Sequence, residues 1–411
     1  MTALIEKLLP ETSGSGDGFD RLRRAARSVL LEHGLPHRKT ENWRYTPLSV
    51  LEAREFSGTR SVASDEALPE LPSSVEGVLH LHDGALDPAR CHLPEGTVLT
   101  GLVPSDVDTD ALERGGPNDA FAWLNLTALE QGWRLHIDRS LNAPLALVMS
   151  FSEDFAGIVH PRLVVELAAG ARAELVQVEH GAGEGLINAV IDVRLGAGAR
   201  LLHAIERTGG ATAIIQRIRA VVGADAEYRA FVLDGGGVMT RQDLVVELTE
   251  AGARGEIRGS AVLSQRSLVD YHTAIHHRVG PSQSREDFRI LADDRATGVF
   301  NGRILIVPGA DYSRSEMHTG NLLLSDQARV NIKPELEIHA EEVSASHGAT
   351  IGQLDDLARF YLRSRGLSDA EAIALLKYGF AAAAFEGLDE EDEPLAEWLR
   401  QRMSHYLGDR R

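Results

Sequence analysis

Apolar and polar residues alternate along the middle of this chain, from about residue 135 to residue 350. Every second residue of the segment 187–195 is apolar, and the same period of two recurs at 216–222, 244–248 and 257–263. A period of two places alternate side chains on opposite faces of an extended strand. The pattern therefore predicts a β-rich core built from many short strands.

Pairs of glycine and alanine divide this region at nearly regular intervals. They begin at Gly170, Gly198, Gly223 and Gly252, with separations of 28, 25 and 29 residues. Glycine tolerates the backbone conformations of tight turns, so each pair predicts a turn. Such intervals are typical of a repeated coil, although they are too uneven for a strict repeat. Periodicity alone leaves a β-sandwich, a β-barrel and a β-solenoid open.

The two ends of the chain carry helical patterns instead. Residues 19–33 place apolar side chains at helical spacing among arginines. Residues 354–364 predict another helix, and a capping box from Ser368 to Glu371 starts a further one. We therefore expect three parts, which are a mainly helical N-terminal region at 1–134, a β core at 135–350 and a C-terminal helical domain at 351–411.

Charge and hydropathy exclude several kinds of partner. The net charge of −19 at pH 7 opposes binding to nucleic acid or to an anionic membrane. No apolar run approaches the ~20 residues of a membrane span, and the first residues lack the basic and apolar regions of a secretory signal. We expect a cytoplasmic protein.

Cys91 is the only cysteine of the 411 residues. One cysteine cannot form an intramolecular disulfide, and it cannot build a thiolate cage for zinc or an iron–sulfur cluster. Its polar context, PARCHLPEG, is typical of an inert loop residue. Any cluster that this chain contacts must therefore take ligands from a partner.

The sequence lacks the motifs of common enzyme classes. It contains no GxxxxGK[ST] phosphate loop, no GxSxG elbow and no HExxH zinc helix. A carbohydrate-active β-helix enzyme stays open, because such enzymes use paired carboxylates. The surroundings of the available carboxylates predict turn and surface positions, and these residues are Glu286, Asp287, Asp293 and Asp294.

Three histidines lie close together in the sequence. On an extended strand His276 and His277 point to opposite faces. His272 lies about 13 Å from His276 along such a strand, which is too far for both to bind one ion. We therefore interpret all three as structural or surface residues.

Four passages in fixed order resemble the SufB/SufD family of iron–sulfur cluster assembly proteins, and they resemble SufD more than SufB. They are GLPHRKTENWRYTPL at 34–48, GVFNGRILIVPGA at 298–310, IKPELEIHAEEVSASHGATIGQLD at 332–355 and YLRSRGL at 361–367. The resemblance spans nearly the whole chain. It implies a mainly β fold, with a right-handed parallel β-helix core flanked by N-terminal and C-terminal helical domains.

The same resemblance implies a non-catalytic scaffold subunit of the Suf complex. It would pair with a SufB-like subunit through the β-helix, whose edge could hold a second copy of the isolated chain as a homodimer. A SufB-like subunit is a nearer alternative than a carbohydrate-active enzyme, but it needs thiolates that this chain lacks. The C-terminal helices would dock a SufC-like ATPase, and the implied docking residues are Tyr361, Leu362, Arg363, Arg365, Leu376, Tyr378 and Phe380.

His347 is the candidate metal-site residue. It lies in a Ser-His-Gly-Ala-Thr segment in which we expect a turn, with Gly348 providing backbone freedom. Spacing alone favours a packed core or turn histidine. The resemblance implies that it lies near the SufB-like partner and contributes to iron or a nascent Fe–S cluster shared between the subunits. Many relatives have a cysteine where this chain has Ala345, so this chain alone is expected to hold no cofactor.

Overall fold

Two sheets form a β-solenoid of about seven turns, with helices before and after it. The computed structural model describes residues 2–9, 16, 18–57, 68–115, 119–181, 183–207, 210–388 and 392–408. The predicted mainly β fold with a parallel β-helix core and helical ends is thereby confirmed.

Most successive strands, numbered in chain order, alternate between the two sheets. In spatial order the first sheet contains β2 (Ala85–Leu86), β1 (Gly77–His82), β5 (Leu145–Phe151), β8 (Arg172–Gly181), β10 (Arg200–Arg207), β12 (Glu227–Asp234), β14 (Arg254–Leu263), β16 (Gln283–Ala292), β18 (Arg314–Leu323) and β20 (Ser344–Gly352). The second sheet contains β19 (Arg329–Ile338), β17 (Thr297–Ile306), β15 (Leu268–His277), β13 (Met239–Leu248), β11 (Ala213–Val222), β9 (Leu186–Leu195), β7 (Arg162–Leu167), β4 (Trp133–Ile137) and β3 (Thr97–Gly101), with β6 (Ile158–Val159) beside β9.

Within the described residues, eight α-helices accompany the sheets. They are α1 (Thr2–Leu8), α2 (Asp20–His33), α3 (Ser49–Glu52), α4 (Thr109–Gly115), α5 (Ala120–Thr127), α6 (Asp356–Ser364), α7 (Asp369–Ala382) and α8 (Glu393–Gly408). The capping box predicted at the start of α7 is confirmed, since Ser368 and Glu371 bond each other's backbone N–H. Within the described ranges no helix has the length and apolar character needed to cross a membrane.

The strands of the solenoid pair in parallel and in register, apart from the antiparallel pairs β1–β2 and β3–β4. The predicted turns are present, and at Gly170, Gly198 and Gly252 φ is 73°, 68° and 77°. At the turn predicted from Gly223, the positive φ of 54° falls on Asp225 instead. Asp is among the few non-glycine residues that adopt this conformation readily, so the coil is kept without a glycine.

Inward-facing residues of both sheets form the main core, and they are largely aliphatic. A polar network around Arg207 lies within this core. The buried guanidinium of Arg207 lies 3.0 Å from Glu179 and 3.2 Å from Asp234, and it donates to Gln216 at 2.7 Å and to Gln242. A buried charge is tolerated only when it is paired in this way.

The N-terminal segment is fastened to the second sheet by its aromatic motif. The buried Trp43 stacks on Phe121 of α5, with ring centroids 5.1 Å apart. Arg241 of β13 lies over the ring of Trp43, and it donates to the backbone oxygen of Asn42 at 2.7 Å. The motif therefore joins the N-terminal segment to α5 and to the second sheet.

The domain limits at residues 134 and 350 stay a prediction. The strands β1, β2 and β3 precede residue 135 and already pair with the two sheets, and β20 continues to Gly352. The solenoid thus draws on sequence outside the range 135–350.

Candidate functional site at the open end of the solenoid

The last turn of the solenoid ends in two strands that lie at the edges of their sheets. Among the described strands β19 pairs with β17 alone, and β20 pairs with β18 alone. Ser344 N–H donates to Ser313 O at 3.0 Å, and alternate residues of a parallel strand bond the same neighbour. The backbone groups of Ala345, His347 and Ala349 are therefore directed to the open side.

The prediction of a turn around His347 is wrong, because Ser344–Gly352 forms strand β20. Small residues with weak strand preference adopt this form since they pair in register with β18. Gly348 serves a close approach rather than backbone freedom in a turn. A Cβ atom at this position would lie 3.3 Å from Cδ2 of His318 on the neighbouring strand.

Register shows on which side of β20 His347 lies. Glu286, Met317 and His347 are paired in one column across β16, β18 and β20. Met317 belongs to the solenoid core, and Ala345, two residues before His347, packs against it. His347 thus lies on the inward-facing side of the last strand, and it is exposed because no further described turn covers it.

His347 is the residue at this end that the sequence analysis names for a metal. Within the described residues no group of three or more His, Cys, Asp or Glu side chains is placed to hold an ion. Cys91 lies far along the sheet beside β1, where its sulfur accepts from the His80 N–H at 3.2 Å and burial raises the pKa of its thiol.

The four carboxylates considered for sugar cleavage lie in two different settings, a buried strand and a turn. The prediction that Glu286 and Asp287 occupy turn and surface positions is wrong, because both residues lie on β16 and both are buried. Glu286 faces the core, and burial raises its pKa to about 8, so it carries a proton at neutral pH. Asp287 contacts Arg289 at 3.2 Å. Asp293 and Asp294 do lie in a turn.

The three neighbouring histidines have separate surroundings. His277 is buried in the core between Ser282 and Ser284, at 2.8 and 2.9 Å. His276 lies on the opposite face of the strand from His277 and accepts a hydrogen bond from Arg278. Burial lowers the pKa of His276 and the pKa of His277 to about 4. His272 lies 3.0 Å from Asp270. The expectation of structural and surface histidines agrees with these contacts.

The residues named for docking divide into two groups on α6 and α7. Tyr361, Arg363 and Arg365 are exposed, and Leu362 and Leu376 are half-buried. Tyr378 and Phe380 pack against a core that α7 and α8 share with the outer face of the first sheet. The side chains of Tyr378 and Phe380 are therefore already in contact with other parts of this chain.

Sequence reasoning missed Leu357 and Phe360, the two most exposed apolar side chains of these helices. Leu357 and Phe360 of α6 are 79% and 69% exposed, beside Tyr361 at 59%, and Leu375 of α7 is 49% exposed. The signal was available, since positions 357, 360 and 361 share one face of a helix. We call the three exposed residues of α6, which are Leu357, Phe360 and Tyr361, the apolar patch.

Comparison with known proteins gives the family. The model for the SufBD core domain of SUF system FeS cluster assembly matches residues 149–380. The iron–sulfur cluster assembly protein SufD of Escherichia coli (strain K12) is 29% identical over 392 residues, which cover 93% of this chain and 90% of that protein. A SufBD family protein of Synechocystis sp. is 28% identical over 385 residues, covering 87% and 85%. SufD of Bacillus subtilis (strain 168) is 28% identical over 214 residues, covering 51% and 48%. The chain therefore belongs to the SufB/SufD family, as a SufD-like subunit of Suf iron–sulfur cluster assembly.

Proposed function

We propose that this chain is a non-catalytic scaffold that pairs with a SufB-like subunit and docks a SufC-like ATPase. The observation that carries the proposal is the open end of the solenoid, where β19 and β20 are edge strands and carry His347. Edge strands expose unpaired backbone groups that bind a further strand readily.

The side chains of the last turn support pairing there. The inward-facing Val330, Ile332 and Leu336 of β19 are only half-buried, and Ile338 and Ile351 are 41% and 55% exposed. A partner solenoid placed end to end would continue the two sheets and cover this apolar surface. A second copy of the chain offers the same edges, so we expect the isolated protein to form a homodimer.

His347 would then lie at the seam between the two subunits. Neutral imidazole is a good ligand for iron, and thiolates of the SufB-like subunit would supply the remaining positions. Iron and sulfide are cargo at this seam rather than a resident cofactor. Ala345 on the same face provides no thiolate, so this chain contributes one ligand.

The apolar patch supports docking of the ATPase. An apolar stripe on α6 that no described residue covers is typical of a helix that binds a partner. Tyr361 belongs to the patch, and Arg363 and Arg365 flank it, although Arg363 already lies 3.6 Å from Asp369. We propose that docking relies on the apolar patch and that Tyr378 and Phe380 hold α7 on the solenoid.

A sugar-cleaving enzyme has little support, because Glu286 is enclosed in the core and Asp287 is bound to Arg289. A SufB-like role has little support, because Cys91 is the only thiol. We propose the cytoplasm as the location, with neither nucleic acid nor membrane as a partner. The net charge of −19 argues against both of these partners, since it repels phosphate backbones and anionic lipids.

Ala349→Pro tests the pairing. The substitution removes an N–H group from the open side of β20 and leaves the bonds to β18 intact. We expect the variant, co-expressed with SufB-like and SufC-like subunits, to lose the SufB-like subunit and keep the ATPase. Ser346→Ala on the same strand is the control and should keep both. Retention of the SufB-like subunit by Ala349→Pro would place the pairing surface elsewhere.

A further inference from the structure

A row of contacting side chains joins α7 to the open end of the solenoid across the outer face of the first sheet. Phe380 of α7 lies beneath Arg289 of β16, with the guanidinium carbon 5.9 Å from the ring centroid. Arg289 Nη1 donates to Nδ1 of His318 on β18 at 2.8 Å, while Nη2 lies 3.2 Å from Asp287. His318 Nδ1 also lies 3.4 Å from Oδ1 of Asp287, so the three side chains form one cluster.

Two glycines allow each side chain of the row to cross the next strand. Arg289 pairs in register with Gly320, where an added Cβ atom would lie only 2.4 Å from Nη1. His318 pairs with Gly348, where an added Cβ atom would lie 3.3 Å from Cδ2. The row therefore steps from β16 over β18 to β20, and it ends beside His347.

The contacts differ in stiffness in a way that suits transmission. A guanidinium is planar with fixed donor directions, and Asp287 holds one side of it. At the far end β20 has one described hydrogen-bonded neighbour, so it is held less firmly than the strands inside the sheet. A displacement of α7 would therefore act first on the firmly held guanidinium of Arg289 and last on β20, which is held less firmly.

We propose that Arg289 and His318 are positioning residues that transmit a displacement of α7 to β20 and thereby set the position of His347. The inference rests on the proposed docking of the ATPase on the C-terminal helices. Binding of ATP to the docked ATPase moves α7, Phe380 shifts Arg289, and His318 carries the shift to Gly348. The coupling needs no ligand on the row itself.

Hydrogen–deuterium exchange of the β20 amides in the co-expressed complex tests this coupling. In the wild type, Mg-ATP changes the exchange of residues 344–352. In Arg289→Met the ATP-dependent change falls at least about fivefold, the lower end of typical coupling between sites, while the ATPase stays bound. The matched control is Arg285→Met, an exposed arginine of the same strand, which keeps the full change.

The outcomes separate this inference from the proposed function. An unchanged response in Arg289→Met with the ATPase bound overturns the coupling alone, as does the absence of any response in the wild type. Failure of the wild type to bind the ATPase overturns the docking, and the coupling falls with it. If Arg289→Met does not fold, His318→Ala breaks the row at its half-exposed end, and its β20 response decides in the same way.

Discussion

The guanidinium carbon of Arg241 lies 3.9 Å from the centroid of the Trp43 ring. Arg241 is almost fully buried and also pairs with Asp270 at 2.8 Å. Desolvation strengthens a cation–π contact of this kind, and Arg is well suited to stacking and pairing at once. The contact explains why the N-terminal motif contains a tryptophan so far in sequence from the sheet that it contacts.

Trp43→Ala should lower the free energy of unfolding by about 3–5 kcal/mol, because it leaves a cavity and removes the stacking surface of Arg241. Chemical denaturation monitored by circular dichroism measures this. Tyr45→Ala is the control, since the Tyr45 ring is 44% exposed, and it should have a much smaller effect. Equal losses for the two variants would contradict the role assigned to Trp43.

Arg207→Met should destabilise the solenoid by about 3–5 kcal/mol, because Glu179 and Asp234 would be left buried without their counter-charge. The half-exposed pair of Arg303 and Glu337 offers a control, and Arg303→Met should change stability by about 1 kcal/mol or less. Thermal unfolding of both variants compares the two. A stable Arg207→Met protein would show that the network is dispensable.

The carboxyl of Glu286 should make stability depend on pH. Its pKa rises from 4.5 to about 8 on folding, so the folded protein keeps a proton that the unfolded chain loses. The free energy of unfolding contributed by this group therefore falls as pH increases from about 4.5 to about 8. Glu286→Gln, which stays neutral, should remove that part of the fall.

Denaturant unfolding at several pH values between 5 and 8 compares Glu286→Gln with the wild type. The exposed Glu316 on the next strand provides the control, and Glu316→Gln should retain the wild-type slope. An identical slope in Glu286→Gln and the wild type would mean that Glu286 is ionised in the folded protein.

Phe360→Ala and Leu357→Ala should each weaken ATPase binding about tenfold or more, because well-buried apolar anchors dominate interface energies. Their folding stability should be unchanged, since both side chains are exposed in the isolated chain. Phe380→Ala should instead lower stability, since Phe380 packs on the core beneath α7. Calorimetric titration with the purified ATPase measures the affinity.

A matched control for the apolar patch lies on α2, where Leu31 is 55% exposed. Leu31→Ala removes a similar apolar area at a site distant in sequence and should leave ATPase affinity as in the wild type. If Leu31→Ala weakens binding as much as Phe360→Ala does, the patch is not the docking surface.

Much of the fold is visible in the sequence, because alternation and turn glycines act locally. The strand pattern at 187–195 and the capping box at Ser368 need no information from distant residues. The resemblance to one family then selects the solenoid from the three architectures that alternation allows.

The missed features depend on distant contacts. Ser344–Gly352 has the composition of a turn, and its extended form comes from pairing with β18. Glu286 lies in a polar stretch, SREDF, and it is buried because the register of β16 directs it to the core. The spacing of Leu357 and Phe360 on one face of α6 was visible in the sequence, whereas their exposure depends on which face of α6 meets α7.

We propose that the open end of the solenoid, with His347 on its last strand, holds the nascent cluster together with the partner. This proposal is tested by measuring iron and acid-labile sulfide per complex after co-expression with SufB-like and SufC-like subunits. His347→Ala should assemble normally and contain clearly less iron and sulfide than the wild type, whereas Ser346→Ala should match the wild type. Equal iron and sulfide in His347→Ala and the wild type would contradict the claim.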